Sequence, residues 1–175
     1  MSFKIQTGAN LFCGDHDPGA SLHLELDEIS LPTLQEKYAD WHPGGSVGGT
    51  EVPVGIEKLE ATFKLGGSND AVMAQFGLGS RMTHTYTAYG ALRDQITGAM
   101  SQSRAVIRGR LGKVEPNAFK RGEMHGHDYT INGIIHYELY MGGREIYWWD
   151  FVSGEWRVNG ESQNGDELRL LNIGI

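Results

Sequence analysis

HDYTINGIIHYELYMGGREIYWWDFV, residues 127–152, is the stretch that decides the fold. From His127 to Met141, the residues Tyr129, Ile131, Gly133, Ile135, Tyr137 and Leu139 fall on one side of an extended chain. Gly142-Gly143 then offers two residues that take positive φ without steric cost, as a two-residue hairpin turn requires. Arg144–Val152 returns as the partner strand. Such a long antiparallel pair, in a chain with Gly 25, predicts a mainly β fold with many tight turns.

Working outward from this hairpin, Ser153-Gly154 reads as a turn and Trp156–Val158 as a short strand. The tail, 160–175, is polar at first. It ends in Leu168, Leu170, Leu171, Ile173 and Ile175, which need a cover from the parent domain or from a neighbouring copy. On the other side, residues 117–127 read as a loop and Arg104–Val114 as a strand ended by Glu115-Pro116-Asn117. Arg104, Val106, Arg108 and Arg110 share one side of that strand, and Ala105, Ile107, Gly109 and Leu111 the other. Residues 93–103 read as a polar turn and 81–92 as a strand of Thr and Tyr alternation.

In Glu57–Leu65, the residues Leu59, Ala61, Phe63 and Leu65 are expected inside, with Lys58, Glu60, Thr62 and Lys64 outside or facing a lumen. Ser68-Asn69-Asp70 opens a short helix expected from Asp70 to Phe76, with Gly77 as its cap. Leu22, Leu24 and Leu26 alternate with polar residues and predict a strand that Ile29 and Leu31 continue. Asp15-His16-Asp17-Pro18-Gly19 has strong turn chemistry. Between these lies a long arm, residues 30–56, with the glycine-rich tip Pro43-Gly44-Gly45-Ser46-Val47-Gly48-Gly49. It is too polar to be core, and an arm of this kind needs a partner to order it.

The 175 residues suffice for one domain with a sizeable core, expected over 1–175 with 30–56 as an assembly arm and 160–175 as a C-terminal tail. The net charge of −7 lies entirely in the first 60 residues, and the remainder is neutral overall with a basic stretch from Arg104 to Arg121. An acidic surface repels nucleic-acid phosphates and argues against tight DNA binding. Oppositely charged regions of one chain are suited to meet between copies. The opening MSFKIQTGANLF does not read as a signal peptide, and no stretch reaches the roughly 18 apolar residues of a membrane span.

No set of residues converges on catalysis. His125-Gly126-His127 lacks the carboxylate spacing of a cupin-type metal site, and Asp15-His16-Asp17 reads as a surface turn. Cys13, the single cysteine, reads as a packed thiol. Tyr147-Trp148-Trp149 suggests a sugar-stacking platform, but Trp148 points away from its neighbours in a strand, which favours core and interface roles. No cofactor is expected and no enzyme.

A series of short motifs resembles the major tail tube protein family of contractile phage tails, to which R-type pyocin tube proteins are related. It begins with Asn10-Leu11-Phe12, Ile29-Ser30-Leu31-Pro32-Thr33-Leu34, Glu36-Lys37-Tyr38, Gly44-Gly45 and Gly55–Phe63. It continues with Phe76-Gly77-Leu78, Arg108-Gly109-Arg110-Leu111, Glu115-Pro116, Lys120–Glu123, Tyr137-Glu138-Leu139 and Gly143–Ile146. The resemblance spans roughly residues 9–160. The sequence departs from it after Gly160, where family members carry a short helix, and in its Trp-rich segment and long N-terminal turn.

The resemblance implies an antiparallel β-sandwich or barrel with one short helix, assembled as a hexameric ring around a continuous inner β-barrel. Stacked rings would form a tube, enclosed by the sheath protein and bounded by baseplate and tail terminator proteins. The tape measure protein and DNA would occupy the lumen without tight binding. The particle would be a virion, assembled in the host cytoplasm, with no membrane partner. Tyr38, Trp41, Gly44, Gly45, Val47, Val52 and Val54 are the expected contacts between subunits or rings. Glu25, Asp27, Lys58, Glu60 and Thr62 are expected toward the lumen. Arg104, Arg108 and Arg110 are expected toward the sheath or a neighbouring subunit. The alternatives are a secretion-system-type tube protein, a monomeric β-sandwich carbohydrate-binding module using Trp148, Trp149 and Trp156, and a metalloenzyme using His125 and His127.

Overall fold

A computed structural model describes residues 1–14 and 16–173. Asp15, the first residue of the expected turn, and Ile175, the last apolar residue of the tail, lie outside them. In chain order the elements are β1 (Lys4–Cys13), β2 (Leu26–Ser30), β3 (Glu36–Trp41), β4 (Thr50–Ile56), β5 (Ala61–Leu65), α1 (Asp70–Met73), β6 (His84–Asp94), β7 (Met100–Pro116) and β8 (His127–Met141). They end with β9 (Arg144–Asp150), β10 (Trp156–Val158), β11 (Glu161–Ser162) and α2 (Gly165–Leu170).

One antiparallel sheet runs β1-β6-β7-β8-β9-β10-β11, and β8 also pairs with β5, which pairs with β2. The long strands β7 and β8 make this branching possible. The last part of β8 pairs with β9, while His127–Ile131 pairs with β5. The chain therefore folds into two layers that share β7 and β8. The core between them holds Leu11, Phe63, Leu65, Tyr86, Ile107, Tyr129, Ile131 and Tyr137.

The hairpin forms as its sequence dictates, but its return strand ends at Asp150 and not at Val152, where Ser153 N–H donates to the Asp150 carboxylate and opens a turn. Gly142 and Gly143 have φ of 60° and 78°, and Met141 faces Arg144. Its regular alternation fails at Gly133. There φ is +55°, and β8 takes four steps, Asn132 to His136, against two in β7. Ile134 is buried in place of the expected Gly133 and Ile135, because an insertion in a period-two strand shifts which side chains face the core. Leu59, Ala61, Phe63 and Leu65 are all buried as expected, and Ala105, Ile107 and Leu111, which share one side of β7, are buried too.

Four other readings need correction. Leu22 and Leu26 are joined by a helical-type turn, Leu26 N–H to Leu22 O at 2.8 Å, so the strand begins only at Leu26 and Leu24 is 88% exposed. The turn expected at 93–103 shrinks to residues 95–99, because Asp94 accepts hydrogen bonds from Ile96 and Thr97 and lets β6 and β7 run longer. The helix from Asp70 is capped by the Asn69 side chain on Val72 N–H, as the sequence implies, but it stops at Met73 and not at Phe76. A second helix, α2, occupies the tail after Gly160, with Asp166 and Glu167 in its first turn.

Candidate assembly interface

The arm is a two-stranded sheet of its own, β3 against β4, and every residue of β3 is exposed. Its root is tied by Glu57 N–H donating to Gln35 O. Tyr38–Pro53, Ala39–Val52, Asp40–Glu51 and Trp41–Thr50 face each other across the ladder. Alternation sorts these into two faces. One carries Ala39, Trp41 and Val52. The other carries Glu36, Tyr38, Asp40, Glu51 and Pro53. Tyr38 donates its hydroxyl to Glu36, and this bond, with the charges of Glu36 and Glu51, holds its phenol above the ordinary range. At the tip, Gly44, Gly45 and Val47 stand in solvent, and Gly49 lies against the His42 ring, which would have to move to admit a side chain there.

The two outer faces of the body differ in chemistry. Behind β5, cross-strand rows read Ser30–Thr62–Thr130–Lys113 and Glu28–Lys64–Asp128–Glu115. With Asp27, which pairs with Lys64 at 3.9 Å, this face carries four carboxylates against two lysines. Of the residues expected toward a lumen, Asp27 and Thr62 lie here. Glu60 sits at the margin and accepts from Asn132 at 2.8 Å. Glu25 instead accepts from Asn69 at the start of α1, and Lys58 is exposed in the connection before β5.

The outer side of the β7–β9 part is aromatic, and most of its charges are paired. Arg104 lies 4.6 Å over the Tyr140 ring and 3.9 Å from Glu138. Arg157 meets both oxygens of Glu145 at 3.0 Å and lies 3.9 Å over Trp148. That hydrogen bonding holds the Glu145 carboxyl below its usual range. His136 is bracketed by Glu138 at 2.8 Å and Asp150 at 3.1 Å. None of the Glu145 and His136 links was expected from sequence. Residues two apart on one strand signal His136–Glu138, but a register shift at Leu139/Tyr140 defeats simple counting across the hairpin. Arg104, Arg108 and Arg110 share one side of β7 as expected, yet meet different neighbours: Arg108 faces His136, and Arg110 donates to Ser80 O.

The remaining candidates have structural settings. Cys13 packs against the core, and burial pushes its thiol up to about 12, which leaves it un-ionised. His127 is buried with a ring nitrogen 3.4 Å from Gly67 O, and His125 meets it edge to face at 5.3 Å. Among the described residues no three His, Cys, Asp or Glu side chains gather as a metal site. Trp149 packs on the core while Trp148 lies under Arg157, so the tryptophans do not form one platform. No described helix is long and apolar enough to cross a membrane.

A family model for phage tail tube protein FII matches residues 8–171. The chain belongs to this tail tube family. The match runs past Gly160 and through α2, so the tail departs from the family less than its sequence suggests. A tail tube relative, the major tail tube protein of Serratia phage KSP20, is 22% identical over 146 residues, covering 82% of this chain and 83% of the relative. Among solved structures, a chain of the extended-state sheath-tube complex of the PVC extracellular contractile injection system aligns with a TM-score of 0.55 and 10% identity. It covers 77% of this chain and 87% of that one. A chain of the PVC sheath/tube terminator gives 0.53 at 10% identity, over 77% and 93%. At these identities the likeness is one of fold, and it agrees with the antiparallel sheet of this chain.

Proposed function

We propose that residues 1–175 act as a single domain whose copies close into hexameric rings, and that the rings stack into the tube of a contractile phage tail. The observation that carries this reading is the arm. A two-stranded hairpin is marginal in isolation, yet β3–β4 leaves Tyr38, Trp41, Val52 and Val54 about half exposed to solvent. Contacts to a neighbouring copy through these side chains and the tip residues Gly44, Gly45 and Val47 supply the missing cover.

In this reading the acidic ladder of Asp27, Glu28, Asp128 and Glu115, with Thr62 and Thr130, faces the lumen, and Glu25, Lys58 and Glu60 lie at its border. Carboxylates there let DNA and the tape measure protein pass without being held, because phosphate contacts would retain them. Arg104 and Arg108 face the sheath, and Arg110 faces a neighbouring subunit. Baseplate and terminator proteins close the two ends. The tube is assembled in the host cytoplasm and carried in the virion, and it needs no cofactor.

Sedimentation and negative-stain microscopy of the concentrated protein test this. Rings with sixfold symmetry, or tubes built from them, are expected. A strict monomer at high concentration overturns the reading.

A further inference from the structure

The arm's face of Glu36, Tyr38, Asp40, Glu51 and Pro53 carries three carboxylates and no cation. Asp40 and Glu51 are directly opposed across the ladder, and like charges so placed weaken a hairpin that stands alone. Among the described residues none of the chain's ion pairs involves these acids. A cation from outside removes the repulsion.

A surface of complementary character lies elsewhere on the same chain. Between the turn after α1 and the crossing of β7 and β8, a groove of roughly 430 Å³ is lined by Leu78, Ser80, Met82, Arg110, Asn132 and Gly133. Leu78 and Met82 are 88% and 65% exposed. Leu78 also has φ of +44°, an uncommon backbone state for a residue other than glycine, and one that is costly to hold. Arg110 is fixed across the groove by its bond to Ser80 O, and Arg81 stands exposed between Ser80 and Met82.

We propose that this groove is the seat for the arm of a second copy of the chain, with Tyr38 lying on Leu78 and Met82 and the Asp40–Glu51 pair meeting Arg110 and Arg81. The proposal rests on the arm being an assembly element and names its partner surface. Charge complementarity favours this site over the cations already paired within the chain. Lys64, Lys113, Arg104 and Arg157 already pair with carboxylates of their own chain. Arg108 sits on the sheet opposite His136. Arg110 bonds only a neutral carbonyl, so its charge is available, and the groove supplies the apolar contact that a phenol ring needs.

The test mixes two forms of the full chain, both Cys13→Ser, one with Tyr38→Cys and the other with Met82→Cys, and adds a short bismaleimide. Covalent dimers are expected from the mixture and not when Phe119→Cys, an exposed residue outside the groove, replaces Met82→Cys. In parallel, Arg81→Glu with Arg110→Glu is expected to raise the concentration needed for assembly about tenfold, as is Asp40→Arg with Glu51→Arg. All four changes in one chain restore assembly to within about threefold. Where the arginine variant fails to fold, judged by circular dichroism, the cross-link decides. No dimers, in a protein whose arm-deleted form cannot assemble, overturns the groove and leaves the arm's role standing. An arm-deleted chain that assembles like the parent overturns both.

Discussion

Phe63 and Tyr129 stack face to face between β5 and β8, with ring centroids 4.8 Å apart and planes 9° from parallel. They are register partners, both buried, at the point where the second layer joins β8. Phe63→Ala should therefore lose about 3–5 kcal/mol of stability, read as a lower denaturant midpoint. Tyr129 differs because its buried hydroxyl has no hydrogen-bond partner among the described residues. Tyr129→Phe keeps the stack and removes an unsatisfied polar atom, so it should be neutral or stabilising by up to about 1 kcal/mol. A clear loss of stability would mean that the hydroxyl is bonded.

Asp94 sets the pH response of the β6–β7 turn. Backbone N–H groups of Ile96 and Thr97 and the Ser2 hydroxyl donate to its carboxylate, and they hold its pKa below the ordinary aspartate value. A carboxyl depressed on folding contributes stability above its unfolded pKa and loses it as pH falls through the folded one. The melting temperature of the parent should thus exceed that of Asp94→Asn at neutral pH, and the gap should close below about pH 4. An equal gap at neutral and acid pH would remove charge as the cause.

Gly126 lies where the loop before β8 passes the end of β5. A Cβ there would sit 2.2 Å from the Leu65 carbonyl oxygen, and backbone yields little. Gly126→Ala should cost about 2 kcal/mol or more, whereas Gly67→Ala, which has open space around it, should cost less than about 1 kcal/mol. Thermal melts of the two variants side by side check this, and similar melts would contradict it.

Arg157 joins Glu145 through two nitrogens and covers Trp148. A lysine keeps the charge but neither the fork nor the planar stacking. Arg157→Lys should lose about 1–2 kcal/mol and shift the tryptophan emission. Unchanged emission would show that the stacking does not persist in solution.

Deletion of the arm tip, Gly44 to Gly49, should leave the stability of the monomer within about 0.5 kcal/mol, since the tip is exposed throughout. Stacking into tubes should stop. Tubes of normal length from the deleted chain would exclude the tip from contacts between rings.

Much of the fold was legible in the chain because its determinants are local. Gly142-Gly143 dictates a hairpin turn on its own. The alternation of Leu59, Ala61, Phe63 and Leu65 needs only period two to define an inner face, and Asn69 caps α1 within one turn. The ordered motifs from Asn10 to Ile146 carried the family, and the arm was visible as a run too polar and too glycine-rich to be core. What the sequence could not reach depends on where strands meet. The inserted residues near Gly133 follow from matching β8 to β7, so the burial of Ile134 over Ile135 is a property of the pair. Likewise, only the sheet's branching places Asp27, Thr62, Asp128 and Glu115 on one face and brings Asp150 to His136. Sequence alone determined which residues could be strands, turns and an arm, because backbone preference and alternation act over a few residues. Only the tertiary structure decided which of them share a surface, because register and sheet order join segments tens of residues apart.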